Sequence, residues 1–179
     1  MHYHAEQMVN GNQMEEPLSP EFKQASQIFD KILALGLRPL RAEVCIFHCG
    51  LRVAGQPDLL CVDSAGRIVI FDWKRTRRLL MDDDRAHMRY PFNELPDTNY
   101  WHYALQLNLY AFILESEYAK EVSGMFLAVV HPELAEPRLV AVPRLDEEVQ
   151  ALVEHEIAGG RTIGSVTAGG SRSFSDPAA

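Results

Sequence analysis

The residues best suited to chemistry lie in one stretch, AGQPDLLCVDSAGRIVIFDWKR, at 54–75. In an extended strand Asp72 and Lys74 project to one face, while Phe71 and Trp73 project to the other. Two ionic groups thus interrupt one face of an otherwise apolar run. Asp58 opens the preceding run, after Gly55-Gln56-Pro57. A hairpin about a turn at 63–66 would centre the pairing on Ala65 and set Asp58 almost opposite Asp72. Opposed carboxylates on a sheet repel unless a cation or a proton relieves them. A divalent ion is the simplest relief, because hard cations such as Mg²⁺ take oxygen ligands: a few carboxylates, with waters and phosphate oxygens completing the shell. A lysine on the same face could position or activate water and offset charge on a phosphorane-like transition state. The arrangement suits phosphodiester hydrolysis.

Pro57-Asp58 followed by Asp72-Trp73-Lys74 resembles the signature of the PD-(D/E)XK nuclease superfamily. With Gly55 ahead of the first Asp and Gln106-Leu-Asn-Leu-Tyr110 further on, the pattern is similar to the RecB-like branch, which includes lambda-exonuclease-type enzymes. The resemblance spans roughly residues 19–142. It implies a restriction-endonuclease-like fold and a metal-dependent nuclease acting on single- or double-stranded DNA in processing, repair or replication. In that reading Asp58 and Asp72 ligate the catalytic Mg²⁺ or Mn²⁺, the backbone carbonyl of Trp73 helps, and Lys74 acts on the attacking water. Glu43, read as opening the first strand, matches an additional upstream acidic position of the family and would hold the metal or its water. Gln106 and Tyr110 stand at i and i+4, so they share a helix face that could turn toward the metal and steady the scissile strand. The expected nucleic-acid contacts are Lys74, Arg75, Arg77 and Arg78 with Gln106 and Tyr110. A member that keeps the fold and binds nucleic acid without turnover is the alternative, and the intact Asp58, Asp72 and Lys74 weigh against it.

Each assignment has a plainer counterpart. Asp72 and Lys74 alone could be an exposed strand pair, Asp58 a turn residue after Pro57, and Glu43 a solvated acid. Tyr110 could be core, whereas Gln106 within ALQLNLYAFIL would cost free energy if buried without a partner. The basic run at 74–78, followed by Asp82-Asp83-Asp84, could be a solvated face. Cys45, His48, Cys49 and Cys61 invite a zinc or cluster reading, but three cysteines without C-x-x-C spacing read better as buried thiols. His87, His102 and His131 have no partner at metal-ligand spacing, and His102 sits one turn before Gln106.

Several elements must position these residues. Ser19-Pro20 starts an amphipathic helix over about 19–35, closed by Gly36. Three β-like runs at 41–49, 51–63 and 67–73, separated by Gly50 and Asp63–Gly66, read as an antiparallel meander. A mostly buried helix follows at 99–116, then strands at 124–131 and 138–142, and a second amphipathic helix at 145–158. The order is a mixed α/β sheet, α-β-β-β-α-β with an extra C-terminal strand and helix, and the long connection after the third strand must cross over the sheet. We expect a single nuclease-like domain over 18–160, a loose N-terminal segment at 1–17 and a disordered tail at 161–179.

At 179 residues with 47% hydrophobic and 23% charged residues, the chain has ordinary globular values and can bury a core without disulfides. A formal net charge of −8 argues against coating nucleic acid through bulk charge and leaves room for a local basic patch. The start MHYHAEQMVNGNQ lacks a basic n-region and an apolar h-region, and no apolar run could span a bilayer. The expectation is an intracellular, reducing setting without a membrane.

Overall fold

The computed structural model of the chain describes residues 19–81 and 86–159. The expected segments 1–17 and 161–179, and Asp82-Asp83-Asp84, lie outside them. The chain runs α1 (Pro20–Ala34), β1 (Arg38–Ala42), β2 (Ile46–His48), β3 (Val53–Gly55), β4 (Leu59–Val62) and β5 (Ile68–Arg75). It continues with α2 (Asn99–Tyr118), β6 (Val122–Val130), β7 (Arg138–Ala141) and α3 (Asp146–Ala158). One sheet has the order β1-β4-β5-β6-β7, antiparallel except where β5 meets β6. The parallel pair requires a crossover, and α2 supplies it. This is a mixed α/β, restriction-endonuclease-like fold with the expected extra strand and helix. Among the described residues no helix is long and apolar enough to cross a membrane.

The expected three-strand meander is corrected in its first two members. The run at 41–49 holds the end of β1 and then β2, and these belong to different sheets: β1 pairs with β4, whereas β2 and β3 form a separate hairpin. The cause is local backbone. Glu43 at φ 51 turns the chain out of β1, and Arg52 at φ 54 closes the hairpin. The hairpin docks on α2, where His48 stacks on Phe112 at 5.4 Å and Tyr118 Oη accepts the Phe47 N–H at 3.2 Å. Cys45 and Cys49 flank β2 and are exposed, contrary to the expected buried thiols. Only Cys61, in β4, is buried, and burial pushes its thiol up to about 12.

Alternation in the strands divides the core in two. Leu60, Val62, Ile68, Ile70 and Leu127 pack under α2, while Leu59, Cys61, Val69, Phe71 and Trp73 pack under α1 with Ile28 and Ile32. Ser19 Oγ caps α1 by accepting the Phe22 N–H at 3.2 Å, with Pro20 opening the helix. On the other layer, buried Asn108 joins α2 to the start of α3. Its Nδ2 donates to the carbonyls of Ala104 and Pro143, and its Oδ1 accepts the Leu145 N–H at 2.8 Å. Asn108→Leu should therefore lower unfolding free energy by about 2 kcal/mol in denaturant titration, because it leaves buried backbone groups unpaired.

The turn joining β4 to β5 sets their register. Asp63 Oδ1 accepts the N–H groups of Ala65 and Arg67 at 2.9 Å, its Oδ2 accepts Arg67 Nε and Ser123 Oγ, and Gly66 takes φ 79. The Arg67 N–H, first among these donors, holds the Asp63 carboxyl down from 3.8 to about 2. A depressed carboxyl stabilises the fold above its unfolded value and loses that stabilisation as pH falls through the folded one. Asp63→Asn should therefore flatten the fall in melting temperature between pH 3.8 and about 2 relative to wild type.

Candidate active site

Asp72 and Lys74 share the phase of Ile68 and Ile70, so β5 presents them to the α2 side, with Trp73 on the α1 side. Leu59 pairs with Phe71 at the end of the ladder, and Asp58 and Asp72 are the next residues beyond that pair on the two strands. Both carboxylates are buried, Asp58 at 7% exposure and Asp72 at 3%. Pro57 is fully buried as well and has no N–H to extend the ladder. The Trp73 N–H instead donates to Asp58 Oδ2 at 2.6 Å. The N–H and C=O of one strand residue leave on the same side, so the Trp73 carbonyl faces the Asp58 edge, where proline offers it no ladder donor.

A chain of contacts leads from this pair to α2. Lys74 Nζ lies 2.7 Å from Asp72 Oδ2 and donates to Gln106 Oε1 at 3.0 Å. An ammonium has only donors, so the Gln106 oxygen faces Lys74 and its Nε2 donates to Tyr110 Oη at 2.7 Å. Tyr110 Oη also accepts the Gln56 N–H, and burial holds the phenol above its usual range, so it stays neutral at physiological pH. Gly55 makes this possible, since a Cβ there would collide with the Tyr110 ring. Gln106 and Tyr110 thus reach Lys74 and the strand leading to Asp58.

Sequence reasoning passed over Tyr103. Its ring centroid lies 4.4 Å from Lys74 Nζ, a cation–π contact on the face shared with Gln106. The i, i+3 spacing of Tyr103 and Gln106 was the available signal.

Other candidates fall elsewhere. Glu43 follows β1 instead of opening a strand; its N–H donates to the Asp58 carbonyl at 3.1 Å, and its Oε2 accepts Gln56 Nε2 at 2.7 Å. Arg75 pairs with Glu21 of α1 at 2.9 Å and Arg77 with Glu133 at 3.0 Å. Arg78 is exposed, and its carbonyl accepts Asn99 Nδ2. His102 Nε2 lies 2.7 Å from Asp97 Oδ1, beside Gln106 on the wall of an adjoining groove.

Among the described residues no three His, Cys, Asp or Glu are grouped to hold a metal. The donors on hand are the two carboxylates and the Trp73 carbonyl, all oxygen. That set fits Mg²⁺ or Mn²⁺, which complete their shells with waters and phosphate oxygens.

A profile of the PD-(D/E)XK nuclease superfamily matches residues 8–168. No curated protein matches the chain. Among solved structures, the chain is similar to a protein assigned as an exonuclease from Eubacterium rectale, at 18% identity and TM-score 0.48, covering 89% of this chain and 63% of that one. It is also similar to a repair endonuclease from Pyrococcus abyssi, at 23% identity and TM-score 0.38, covering 80% and 46%. A third similarity is to the EndoMS–dsDNA complex, at 18% identity and TM-score 0.36, covering 81% and 45%. The chain thus spans less than two thirds of the length of these structures.

The Asp58–Trp73 contact changes what loss of the carboxylate should do to stability. Removing one of two like charges would by itself relieve repulsion, but Asp58→Ala also strips a buried N–H of its acceptor. Asp58→Ala should therefore be about 1–3 kcal/mol less stable than wild type in metal-free denaturation, whereas Asp58→Asn, which keeps an acceptor oxygen, should stay closer to it.

Proposed function

Because the chain belongs to the PD-(D/E)XK nuclease superfamily, we propose that it is a metal-dependent nuclease of the RecB-like branch, hydrolysing phosphodiester bonds of DNA in processing, repair or replication. The observation that carries this reading is the buried Asp58–Asp72 pair with Lys74 clamped between Asp72 and Gln106. We read residues 18–160 as the nuclease domain.

Asp58, Asp72 and the Trp73 carbonyl would hold Mg²⁺ or Mn²⁺, which supplies Lewis-acid stabilisation of the charge developing on phosphate and lowers the pKa of water. The protein's own groups do the positioning. Lys74 Nζ is ion-paired with Asp72 and donates to Gln106, and we assign a remaining N–H donor to the attacking water or a phosphoryl oxygen. Gln106 and Tyr103 fix the ammonium by a hydrogen bond and a ring face, which limits the reorganisation needed during reaction. Tyr110, neutral and anchored by Gln56 and Gln106, holds α2 over the strand ends and can donate to a substrate oxygen. Of the basic run, Lys74 acts at the centre, Arg78 is the exposed candidate for backbone phosphate, and Arg75 and Arg77 would have to exchange Glu21 and Glu133 for phosphate.

The deciding measurement is incubation of the purified protein with Mg²⁺ or Mn²⁺ on single-stranded, duplex and circular DNA, with EDTA controls. Asp72→Ala should abolish cleavage. Lys74→Ala should lower turnover by about 100-fold or more at saturating metal, and Lys74→Arg should restore it only in part, because a planar guanidinium cannot replace a compact ammonium. Equal metal-dependent cleavage by wild type and Asp72→Ala would overturn the assignment. DNA binding without cleavage by wild type would make the chain an inactive, nucleic-acid-binding member of the fold.

A further inference from the structure

Beside the Lys74 network a groove of about 680 Å³ opens between α2, the segment 86–98 and α3. Gln106 and Tyr110 belong both to its wall and to the contacts that hold Lys74. A strand placed with one phosphate at Asp58, Asp72 and Lys74 therefore has its neighbouring nucleotide at the mouth of this groove. The floor there is apolar, from Leu105 and Leu109 of α2 with Phe92 opposite. The rim carries Tyr90, 72% exposed, whose ring is held edge-on to His155 of α3 at 5.5 Å. Next to it stands exposed Arg89, which ion-pairs with none of the described residues.

An exposed aromatic face, an apolar floor and a cation that meets no carboxylate among the described residues suit an unstacked base and its phosphate, and every base has a π-face to offer. A paired base inside a duplex cannot enter such a recess without being extruded. The volume falls within the ordinary range for small-molecule sites, about 300–1,000 Å³. We propose that this groove is a subsite for the unstacked base of a single-stranded nucleotide next to the scissile phosphate, with the base against Tyr90 and Phe92 and its phosphate on Arg89. The substrate is then single-stranded at this position. The inference rests on the nuclease reading for where the scissile phosphate lies, and its test needs no turnover.

The test measures fluorescence anisotropy of a short labelled single-stranded DNA oligonucleotide, and of its blunt duplex, binding to the full chain in EDTA. Wild type should bind the single strand more tightly than the duplex. Tyr90→Ala, a change at an exposed side chain, should weaken single-strand binding about tenfold and leave duplex binding unchanged. Leu109→Trp, which fills the groove, should weaken it as well. An abasic position scanned along the oligonucleotide should cost wild type a similar factor at one place and cost Tyr90→Ala nothing more. Single-strand affinity within about twofold of wild type in both variants would overturn the subsite, as would absence of oligonucleotide binding. A Tyr90-dependent dimer in light scattering without DNA would overturn it too, by assigning the groove to a second copy. Cleavage in Mg²⁺ with no Tyr90 effect on binding removes the subsite alone. Tyr90-dependent binding with no cleavage in Mg²⁺ or Mn²⁺ removes the nuclease reading and leaves the subsite standing.

Discussion

Two carboxylates buried on neighbouring strands set the terms for the rest of this molecule. Asp58 and Asp72 come together because β4 and β5 are paired in a single register, held at one end by the Asp63 turn and released at the other by Pro57. Burying like charges is unfavourable unless hydrogen bonds and counter-charges offset it. The Trp73 N–H offsets part for Asp58 and the Lys74 ammonium part for Asp72. The β4–β5 ladder ends at Leu59 and Phe71, so the Trp73 N–H meets no ladder carbonyl and is left to the Asp58 carboxylate.

The second layer follows from that constraint. Lys74 needs acceptors, and α2 supplies one through Gln106, whose amide is fixed in turn by Tyr110. Tyr110 can sit there only because Gly55 leaves room for its ring, so a residue of the small hairpin controls a contact in the main site. Asn108, on the same helix, secures the start of α3 and thereby one wall of the groove. One helix therefore links the carboxylate pair, the lysine clamp and the recess beside them.

Charge is distributed with the same economy. The chain carries a net charge of −8, yet the cations at the end of β5 are sorted by strand alternation and by local partners. Lys74 turns to the α2 side, while Arg75 meets Glu21 of α1 on the other. Lys74 is thus spent on a buried acid of the sheet, and Arg75 and Arg77 on acids of the surrounding segments.

Much of this was legible in the sequence because it depends on local geometry. The opposition of Asp58 and Asp72 follows from strand periodicity and a short turn, and the common face of Gln106 and Tyr110 from helical spacing. The mixed sheet with a crossover helix followed from the order of the apolar runs. Tertiary structure alone decided which long-range neighbours meet: Tyr103 over Lys74, Tyr110 against Gly55, Glu21 on Arg75. It also decided that β2 and β3 leave the main sheet, exposing Cys45 and Cys49, because one residue in the left-handed region at Glu43 redirects a run that reads as a continuous strand. Spacing along a chain fixes which side of an element a residue takes; what stands opposite that side is set by packing between elements distant in sequence.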